Sequence, residues 1–496
     1  MTMSPGRLAW FREREQFQPI KDNRDEQTMI AGVLYTHSEK KLKMTVMFPP
    51  LHSDESRRAK VYLTPSSLDK DSGGKVSERH CQIREGTWHC LVQFGNIPHD
   101  QEYTYEIQYT ADASQDGNHF YKYDGMVPMQ KDYPRIAGVG CFGPDGTKNK
   151  DALRDAIIAQ NPDLVVFQGD QTYFHEDVSN AVRLVELGCP TVYTMGELTR
   201  NVPTIVQMDD HDFGQGNIWG AGLGDEDSGA GFEKSPCVVN RVQELALGHL
   251  PDPATTDTLD NGISVHYTNY IYGKTDLAVL ESRKFKNFAA ADSDSYFGSD
   301  QEAWVEEWCQ DQDRLKVVLL QTPIVDIATN KTKNHGIVPM SEDFLKKADP
   351  GRDRFLDIVK GCSPLLLSGD QHLGVAVTYP EHGISECASP AAINDVFWRL
   401  NVMEPGTTST MTGVPYTLLN AWNVDPEAIE WYEAARYSRG ETDAWTRKRR
   451  AEGFLMVDLD GTSAACEMHG YHGQQEMIWD VTVPAADPSL ATETRR

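Results

Sequence analysis

The chain reads as a mixed α/β domain preceded by an antiparallel β-sandwich, and three observations lead there. Its first quarter is a series of short alternating segments. Its middle alternates apolar runs with helical patterns, and three of those runs end in clusters of Asp, His and Tyr. In the first quarter, Thr28 to Thr36, Leu42 to Phe48, Lys60 to Thr64, Thr87 to Phe94 and Glu102 to Tyr109 are separated by Gly, Pro, Ser and Asp clusters. Tyr103, Tyr105, Ile107 and Tyr109 recur at period two, which places them on one face of a half-buried strand. Strands at a spacing of roughly 8 to 12 residues point to a sandwich of immunoglobulin or fibronectin character over residues 21–130. The linker falls at Val127 to Pro134.

From Arg135 the pattern changes. Arg135 to Val139 is apolar, a helical stripe through Leu153, Ala156 and Ile157 lies between Asn149 and Asn161-Pro162, and Leu164 to Phe167 is apolar again: a βαβ unit. Further strands are expected at Pro203 to Met208, Ile263 to Ile271, Leu277 to Leu280, Leu315 to Leu320 and Leu365 to Leu367. Helices are expected at Phe232 to Leu247, Asp300 to Asp311 and Arg352 to Lys360. Pro426 to Arg436, with Pro in its first turn, reads as a helix inside an insertion over residues 394–450. Gly453 to Leu459, Ser463 to Met468 and Met477 to Val483 read as strands that close a second domain spanning 131–485, with a loose tail beyond.

At 496 residues the chain exceeds the usual single core, so two units are expected. A formal net charge of -27 argues against nucleic acid or an anionic membrane surface as partner. It does not argue against a small anion held at a local cation, whose own charge dominates inside a pocket. The sequence carries no signal for an oligomeric state. Nine cysteines, odd in number and irregularly spaced, do not read as a disulfide framework. Cys81 and Cys90 flank a Gly-containing turn and are placed to face each other; most of the others read as reduced, buried thiols. Met1 to Gln18 carries Arg7, Arg12 and Arg14 with no long apolar run behind them, and no stretch is long enough to span a bilayer. A cytoplasmic protein is the expectation, and a processed exported chain would look the same.

The chemistry lies in three blocks, each directly after an apolar run: Gln168-Gly169-Asp170-Gln171-Thr172-Tyr173, Met208-Asp209-Asp210-His211-Asp212 and Ser368-Gly369-Asp370-Gln371-His372. A fourth run, from Arg135, ends at Cys141. Side chains just past the carboxyl ends of buried strands are where open α/β sheets keep their sites. Carboxylate, phenolate and imidazole suit hard, highly charged cations, and two cations about 3.5 to 4 Å apart need a carboxylate able to bridge them. Asp170, after the permissive Gly169, suits that role, and Tyr173 lies about one turn later. Asp210 and His211 can divide their labour between metal and substrate, with Asp212 hydrogen-bonding an imidazole nitrogen to fix its tautomer. Asp370 and His372 share a face if their strand continues. Arg283 is either a phosphate contact or half of a structural ion pair. Gly214 to Gly224, with Asn217 and Trp219, reads equally as a pocket roof or a plain loop; His175 and His335 read as surface residues or as neighbours of the ligands.

Each block alone has a bland reading: a strand-to-helix turn, an acidic helix cap, a buried thiol. Together, in this order and each after a strand, they resemble the alkaline phosphatase D (PhoD-like) family of the calcineurin-like metallophosphoesterase superfamily. The superfamily's general pattern is Asp-x-His, Gly-Asp-x-x-Asp, Gly-Asn-His-Asp/Glu and Gly-His-x-His. Here Cys141 replaces the first element, Tyr173 closes the second, Asp210 precedes the His of the third and Asp370 opens the last. These departures are those of the PhoD-like branch, and Leu280-Glu281-Ser282-Arg283 resembles its Leu-Asp-x-Arg strand. The resemblance covers Arg135 to roughly Ala392 and extends to the β-domain by architecture alone.

The resemblance implies a four-layer αββα domain with a dinuclear centre of Fe3+ and Ca2+, other divalent metals being possible. It implies that Cys141, Asp170, Tyr173 and one group of the last block hold the iron, and that Asp170 bridges to a second metal bound also by Asp210 and the other group of the Asp370 to His372 segment. It leaves Asp370 and His372 unassigned individually. A hydroxide generated on the metals attacks the phosphorus of a small phosphate ester, mono- or diester, and His211 protonates the leaving oxygen. Two alternatives remain: a binding protein that uses the β-domain and has lost turnover, which the intact ligand set disfavours, and a purple acid phosphatase-like enzyme. The latter family has Asn and His where this chain has Asp210 and Asp370.

Overall fold

The computed structural model describes residues 29–482 apart from 50, 52, 54, 68–75, 112–119, 143–146, 174–191, 193, 217, 224–229, 286–295, 333–335, 340–349, 395–398, 424–450 and 472–476. The N-terminal unit holds β1 (Gly32–Ser38), β2 (Lys41–Met47), β3 (Arg58–Pro65), β4 (Ser77–Gln82), β5 (His89–Gly95), β6 (Tyr103–Tyr109) and β7 (Tyr121–Val127). They form two antiparallel sheets, β1-β2-β5 and β4-β3-β6-β7, the three-plus-four arrangement of a small sandwich. Tyr103, Tyr105, Ile107 and Tyr109 are the buried face of β6. Tyr35 of β1 meets Tyr105 edge-on at 6.2 Å and Phe48 meets Tyr109 at 5.1 Å, so the tyrosine stripe is the core between the sheets. Two strands escape the sequence pattern. In β4 only Cys81 is buried, and β7 carries Gly125 in place of a side chain that would complete an alternation.

The pairing open to Cys81 and Cys90 is formed, whereas the expectation that most of the other cysteines are reduced is corrected. Cys81 of β4 and Cys90 of β5 join the two sheets of the sandwich, and Cys309–Cys362 and Cys387–Cys466 are also disulfides. The second and third pairs are 53 and 79 residues apart, a separation that sequence spacing cannot announce. Among the described residues Cys141, buried, and Cys237, exposed, are free.

The second unit runs through β8 (Arg135–Phe142), α1 (Thr147–Ala159), β9 (Leu164–Gln168), α2 (Gly196–Thr199), β10 (Thr204–Gln207), β11 (Trp219–Leu223), β12 (Ala230–Phe232), α3 (Pro236–Leu247), β13 (Thr268–Tyr272), β14 (Thr275–Val279), α4 (Ser299–Trp308) and β15 (Leu315–Leu319). It continues with β16 (Thr329–Thr332), β17 (Gly336–Pro339), α5 (Pro350–Val359), β18 (Leu365–Ser368), β19 (Val375–Tyr379), β20 (Ile384–Ala388), β21 (Ala391–Ile393), β22 (Thr408–Ser409), β23 (Tyr416–Ala421), β24 (Gly453–Leu459), β25 (Ser463–Gly470) and β26 (Met477–Thr482).

Two large mixed sheets result. One runs β10-β9-β8-β24-β25-β26 with β21 also on β8, and the other β13-β14-β15-β18-β20-β19-β23-β22. The strands at the heart of each, β8 to β10 and β14, β15, β18 and β20, are parallel. Alternate residues of the second sheet divide between two cores. Leu277, Val279, Val317, Leu319, Leu365 and Leu367 pack in one cluster with Val139, Val166 and Phe167 of the first sheet. Ala278, Val318 and Leu366 pack instead with Val305 and Trp308 of α4 and Phe355, Leu356 and Val359 of α5. Burial on both faces is why these strands read as unbroken apolar runs. Each fully buried Leu, Val or Phe contributes about 1.5–3 kcal/mol, so the paired cores, rather than the few short helices, hold the layers together.

The expected strand from Ile263 begins at Thr268, the preceding residues containing an isolated Thr258–Ser264 bridge instead of a strand. The described part of 394–450 supplies β22 and β23, which extend the second sheet antiparallel to β19; the helix expected at Pro426 to Arg436 lies outside the described residues. The two units share an interface. β1 is buried along its whole length, Ile271 N–H donates to Ser38 Oγ at 3.0 Å, and Tyr105 Oη donates to the Arg200 carbonyl at 2.9 Å. Among the described residues no helix is long and apolar enough to cross a membrane.

Candidate metal centre

The carboxyl ends of β8, β9, β10 and β18 bring the four blocks together, and each block leaves its strand by a sharp turn. Cys141, Asp170, Asp370 and His372 all have positive φ, from 56° to 65°. A non-glycine residue held there costs on the order of 1–3 kcal/mol and persists only where the surroundings over-determine it. Here they do: Cys141 N–H donates to Gly169 O at 3.1 Å and Phe142 N–H to Asp170 O at 2.8 Å, locking the end of β8 to the turn after β9. Gly169, at φ 97°, is required in that turn, because a Cβ there would meet Asp209 Cβ at 2.5 Å. A Cβ on Gly369 would lie 2.9 Å from Gln168 O, so the third block also approaches the first closely. The expectation that Asp370 and His372 share the face of a continuing strand is corrected. β18 stops at Ser368, and Gln371 is tied down by Ile327 and Ala328 N–H groups that donate to its Oε1 at 2.9 and 3.0 Å.

At these strand ends the possible ligand atoms fall into three overlapping groups, the atoms of each lying within 4.8 Å of one another: Cys141, Asp170 and His372; Asp170, Asp210 and His211; and Asp170, Asp209, Asp210 and Asp370. Asp170 belongs to all three. Its Oδ2 accepts from Tyr173 Oη at 3.0 Å and lies 4.0 Å from Cys141 Sγ, while its Oδ1 accepts from His211 N–H at 3.2 Å. Tyr173 and His211 stack at 4.2 Å and are half-buried, whereas Cys141, Asp170 and Asp210 are buried. The cluster therefore opens on the side of His211 and Tyr173.

Two roles change. Asp212 does not hold an imidazole; it receives the backbone N–H groups of Asp170 at 2.7 Å, Asp209 at 3.0 Å and Thr172 at 3.1 Å, together with Thr172 Oγ1 at 3.2 Å. It pins the turns of two blocks to each other through a capping box with Asp209 around the short 3₁₀ turn Asp210–Phe213. Arg283 is fully buried and forms the ion pair rather than an open phosphate contact. Its guanidinium pairs with Asp209 through Nε, with Asp370 through Nη2 at 2.7 Å, and with Asp210 at 3.5 Å, and Nη1 donates to Ile218 O at 3.4 Å.

Sequence reasoning left Asp209 out of the site, although the Asp-x-x-Asp spacing of a capping box announced it. It also missed Asn394, whose Nδ2 donates to Tyr173 Oη at 2.8 Å from a position 221 residues away. Of Gly214 to Gly224, residues 219–223 form β11, paired with β12; Asn217, His175 and His335 lie outside the described residues.

The electrostatics call for cations. Five carboxylates, of Asp170, Asp209, Asp210, Asp212 and Asp370, are buried with one guanidinium among them. Burial first, then the charges of Asp210, Asp209, Asp212 and Asp370, push the Asp170 carboxyl well above its ordinary range. Burial pushes Asp209 up against the opposing effect of Arg283, and pushes Asp212 up to about 7 in spite of its backbone N–H donors. Cys141 and Tyr173 are raised by burial and then by Asp170. Asp209 Oδ2 and Asp370 Oδ2 are buried without a hydrogen-bond partner. A buried acceptor in that state costs about 1–3 kcal/mol. Multivalent cations would satisfy these oxygens and return the carboxylates to their charged forms, so the donor set fits metal ions.

Comparison with known proteins adds an independent line. A family model described as PhoD-like phosphatase matches residues 193–452, just over half of the chain. That stretch contains Asp210, His211, Arg283, Asp370 and His372 and begins after Cys141, Asp170 and Tyr173. No curated protein sequence matches. Among solved structures, one of PhoD superposes with a TM-score of 0.63 at 12% identity, over 93% of this chain and 92% of the other. The purple acid phosphatase PPD1 from seeds of yellow lupin (Lupinus luteus) gives 0.58 at 11% identity, over 91% and 73%. At such identities the likeness is one of fold: both share the layered α/β unit and extend across the N-terminal sandwich.

Proposed function

The chain belongs to the PhoD-like phosphatase family and is a phosphoester hydrolase, and on that premise we propose that it cleaves small phosphate mono- or diesters at a two-cation centre bridged by Asp170. The observation that carries this reading is the membership of Asp170 in every group of ligand atoms at the strand ends. One cation, of ferric type, would be held by Cys141, Asp170, Tyr173 and His372. The second, of calcium type, would be held by Asp170, Asp210 and Asp370, with Asp209 beside it. This assignment follows the grouping of His372 with Cys141 and of Asp370 with Asp209 and Asp210. Bound there, the metals supply charge neutralisation for the phosphoryl group and a water ionised near neutral pH.

The chain's own groups do the rest. Asp212 and Arg283 hold the ligand turns in place, and the apolar layers beneath exclude water from the ligands' far side. His211, on the open side of the cluster and steadied by the Tyr173 ring, is placed to hand a proton to the leaving oxygen, an effect typically worth about 10²- to 10⁴-fold. His211→Ala should then slow poor leaving groups far more than p-nitrophenolate. Equal losses for both, measured as kcat/KM across a leaving-group series, would show that His211 binds metal instead.

The reading as a whole is tested by colour, metal content and turnover together. Thiolate and phenolate on ferric iron give a visible charge-transfer band, and the protein should carry two metal ions per chain and hydrolyse p-nitrophenyl phosphate or its bis ester. A colourless protein that binds no metal and acts on neither ester would overturn it. Among the described residues of the β-domain no comparable group of ligand atoms occurs, and Tyr35, Tyr103, Tyr105, Tyr109 and Tyr123 are buried in its core.

The three disulfides favour an exported chain in an oxidising compartment over a cytoplasmic one. Protein recovered from its native compartment should show six of its nine cysteines protected from alkylation until it is reduced. Alkylation of all nine without reductant would restore the cytoplasmic reading.

A further inference from the structure

Asn394 stands at a place where three parts of the site meet. It follows β21, whose Ala391 and Ile393 pair with Gly140 and Phe142, the two neighbours of Cys141. Its backbone N–H donates at 3.1 Å to Oε1 of Glu452, which is 1% exposed and directly precedes β24, itself a partner of β8. The residue is thus fixed from the interior strands of the first sheet. From there its side-chain amide reaches across to donate from Nδ2 to Tyr173 Oη at 2.8 Å. Asn394 is 4% exposed, so this bond is shielded from water.

Among the described residues none anchors the backbone of Tyr173 in this way. It lies past the end of β9 in no helix or strand, and its ring is steadied by the face of His211 at 4.2 Å. Its hydroxyl has two partners here: it donates to Asp170 Oδ2 at 3.0 Å and accepts from Asn394. The two bonds do not survive equally when a cation binds. A phenolate ligand would have no O–H, so the bond to Asp170 would be lost and both oxygens would be available to hold a cation. The amide N–H is a donor and keeps its acceptor, made stronger by the charge on the oxygen.

We infer that Asn394 is the positioning residue of the iron-type site, its amide holding Tyr173 Oη in ligand geometry beside Asp170. The inference rests on the proposed role of Tyr173 as a metal ligand. It adds a residue that makes no bond to metal or substrate. Partners of this kind, which orient a ligand without binding the metal, are typically worth about 10- to 100-fold in metal affinity.

The test uses the full chain loaded with ferric iron, with Asn394→Leu, which keeps the volume and removes the amide, and Asn394→Asp, which keeps the shape and removes the N–H donor. Both should shift the visible charge-transfer band away from its wild-type position and weaken iron retention against a chelator by about 10- to 100-fold. Melting of the metal-free proteins reports folding; if the Leu variant fails to fold, the Asp variant carries the test. Tyr173→Phe serves as the reference for loss of the phenolate's share of the band, the share of Cys141 remaining. Folded variants with the wild-type band position and wild-type iron retention would overturn the inference while leaving Tyr173 as a ligand. A wild-type protein that binds two metals and turns over phosphate esters, but whose iron form has no band sensitive to Tyr173→Phe, would instead remove Tyr173 from the site and the inference with it.

Discussion

Asp170→Asn is expected to abolish turnover, with kcat/KM falling on the order of 10³-fold or more, while the metal-free protein stays at least as stable as wild type. The scale is that of losing a group that organises transition-state charge. Asp170 is the one side chain common to the three ligand groups at the strand ends, with Oδ2 toward Tyr173 and Cys141 and Oδ1 beside His211. An amide keeps the size and one acceptor but puts an N–H₂ where a second cation must be met, so one metal site empties. Stability should move the other way. The Asp170 carboxyl titrates well above its unfolded range because of burial and its acidic neighbours. Its stabilising contribution is therefore present only below the unfolded pKa and is lost as pH rises through the folded one. At neutral pH the metal-free wild type carries that cost and the amide variant does not. Metal analysis should give one ion per chain, and melting with chelator should show no loss. A variant that keeps two metals, or keeps its activity, would remove Asp170 from the bridging position.

The sequence disclosed the strand ends more completely than the connections between them. Cys141, Asp170, Asp210, Asp370 and His372 were legible because each follows an apolar run, and strands buried on both faces are largely apolar ahead of their functional ends. Arg283 was visible as a residue but not as a clamp, since nothing local to Leu280-Glu281-Ser282-Arg283 says that Asp209 and Asp370 lie within reach. Asn394 is the extreme case: its bond to Tyr173 spans 221 residues and follows from β21 pairing with β8, a register no periodicity encodes. Asp212 was placed in the site for a different reason from the one it serves. An Asp next to a His suggests tautomer control, yet the 3₁₀ turn directs its carboxylate to backbone N–H groups instead. Two of the disulfides were hidden likewise: the packing of one sheet on the other brings Cys387 of β20 against Cys466 of β25. Local pattern reports which residues end a strand; which strand ends meet is decided by topology.

Arg283→Met should be the most damaging single change to the fold of the site, and its signature separates a clamp from a substrate contact. The guanidinium is fully buried and pairs with Asp209, Asp370 and Asp210 from two different strand ends, β10 and β18. Removing it leaves those carboxylates facing one another without a counter-charge, and breaking one partner of a buried ionic network typically costs about 3–5 kcal/mol. The loss should appear in metal-free melting, before any substrate is present, and metal loading should recover part of it, because a cation near Asp210 and Asp370 replaces some of the missing charge. Arg283→Lys should fall between the two, since an ammonium keeps the charge but cannot fork between Asp209 and Asp370. A phosphate contact would behave in the opposite way: unchanged melting, raised KM, and the same penalty for Lys with metal present or absent. If melting is unaltered in Arg283→Met and only KM rises, the guanidinium belongs to the substrate. If melting falls as expected, Arg283 is, among the described residues, the fixed positive charge set among five buried carboxylates, and the negative charge it leaves uncompensated is what multivalent cations would neutralise.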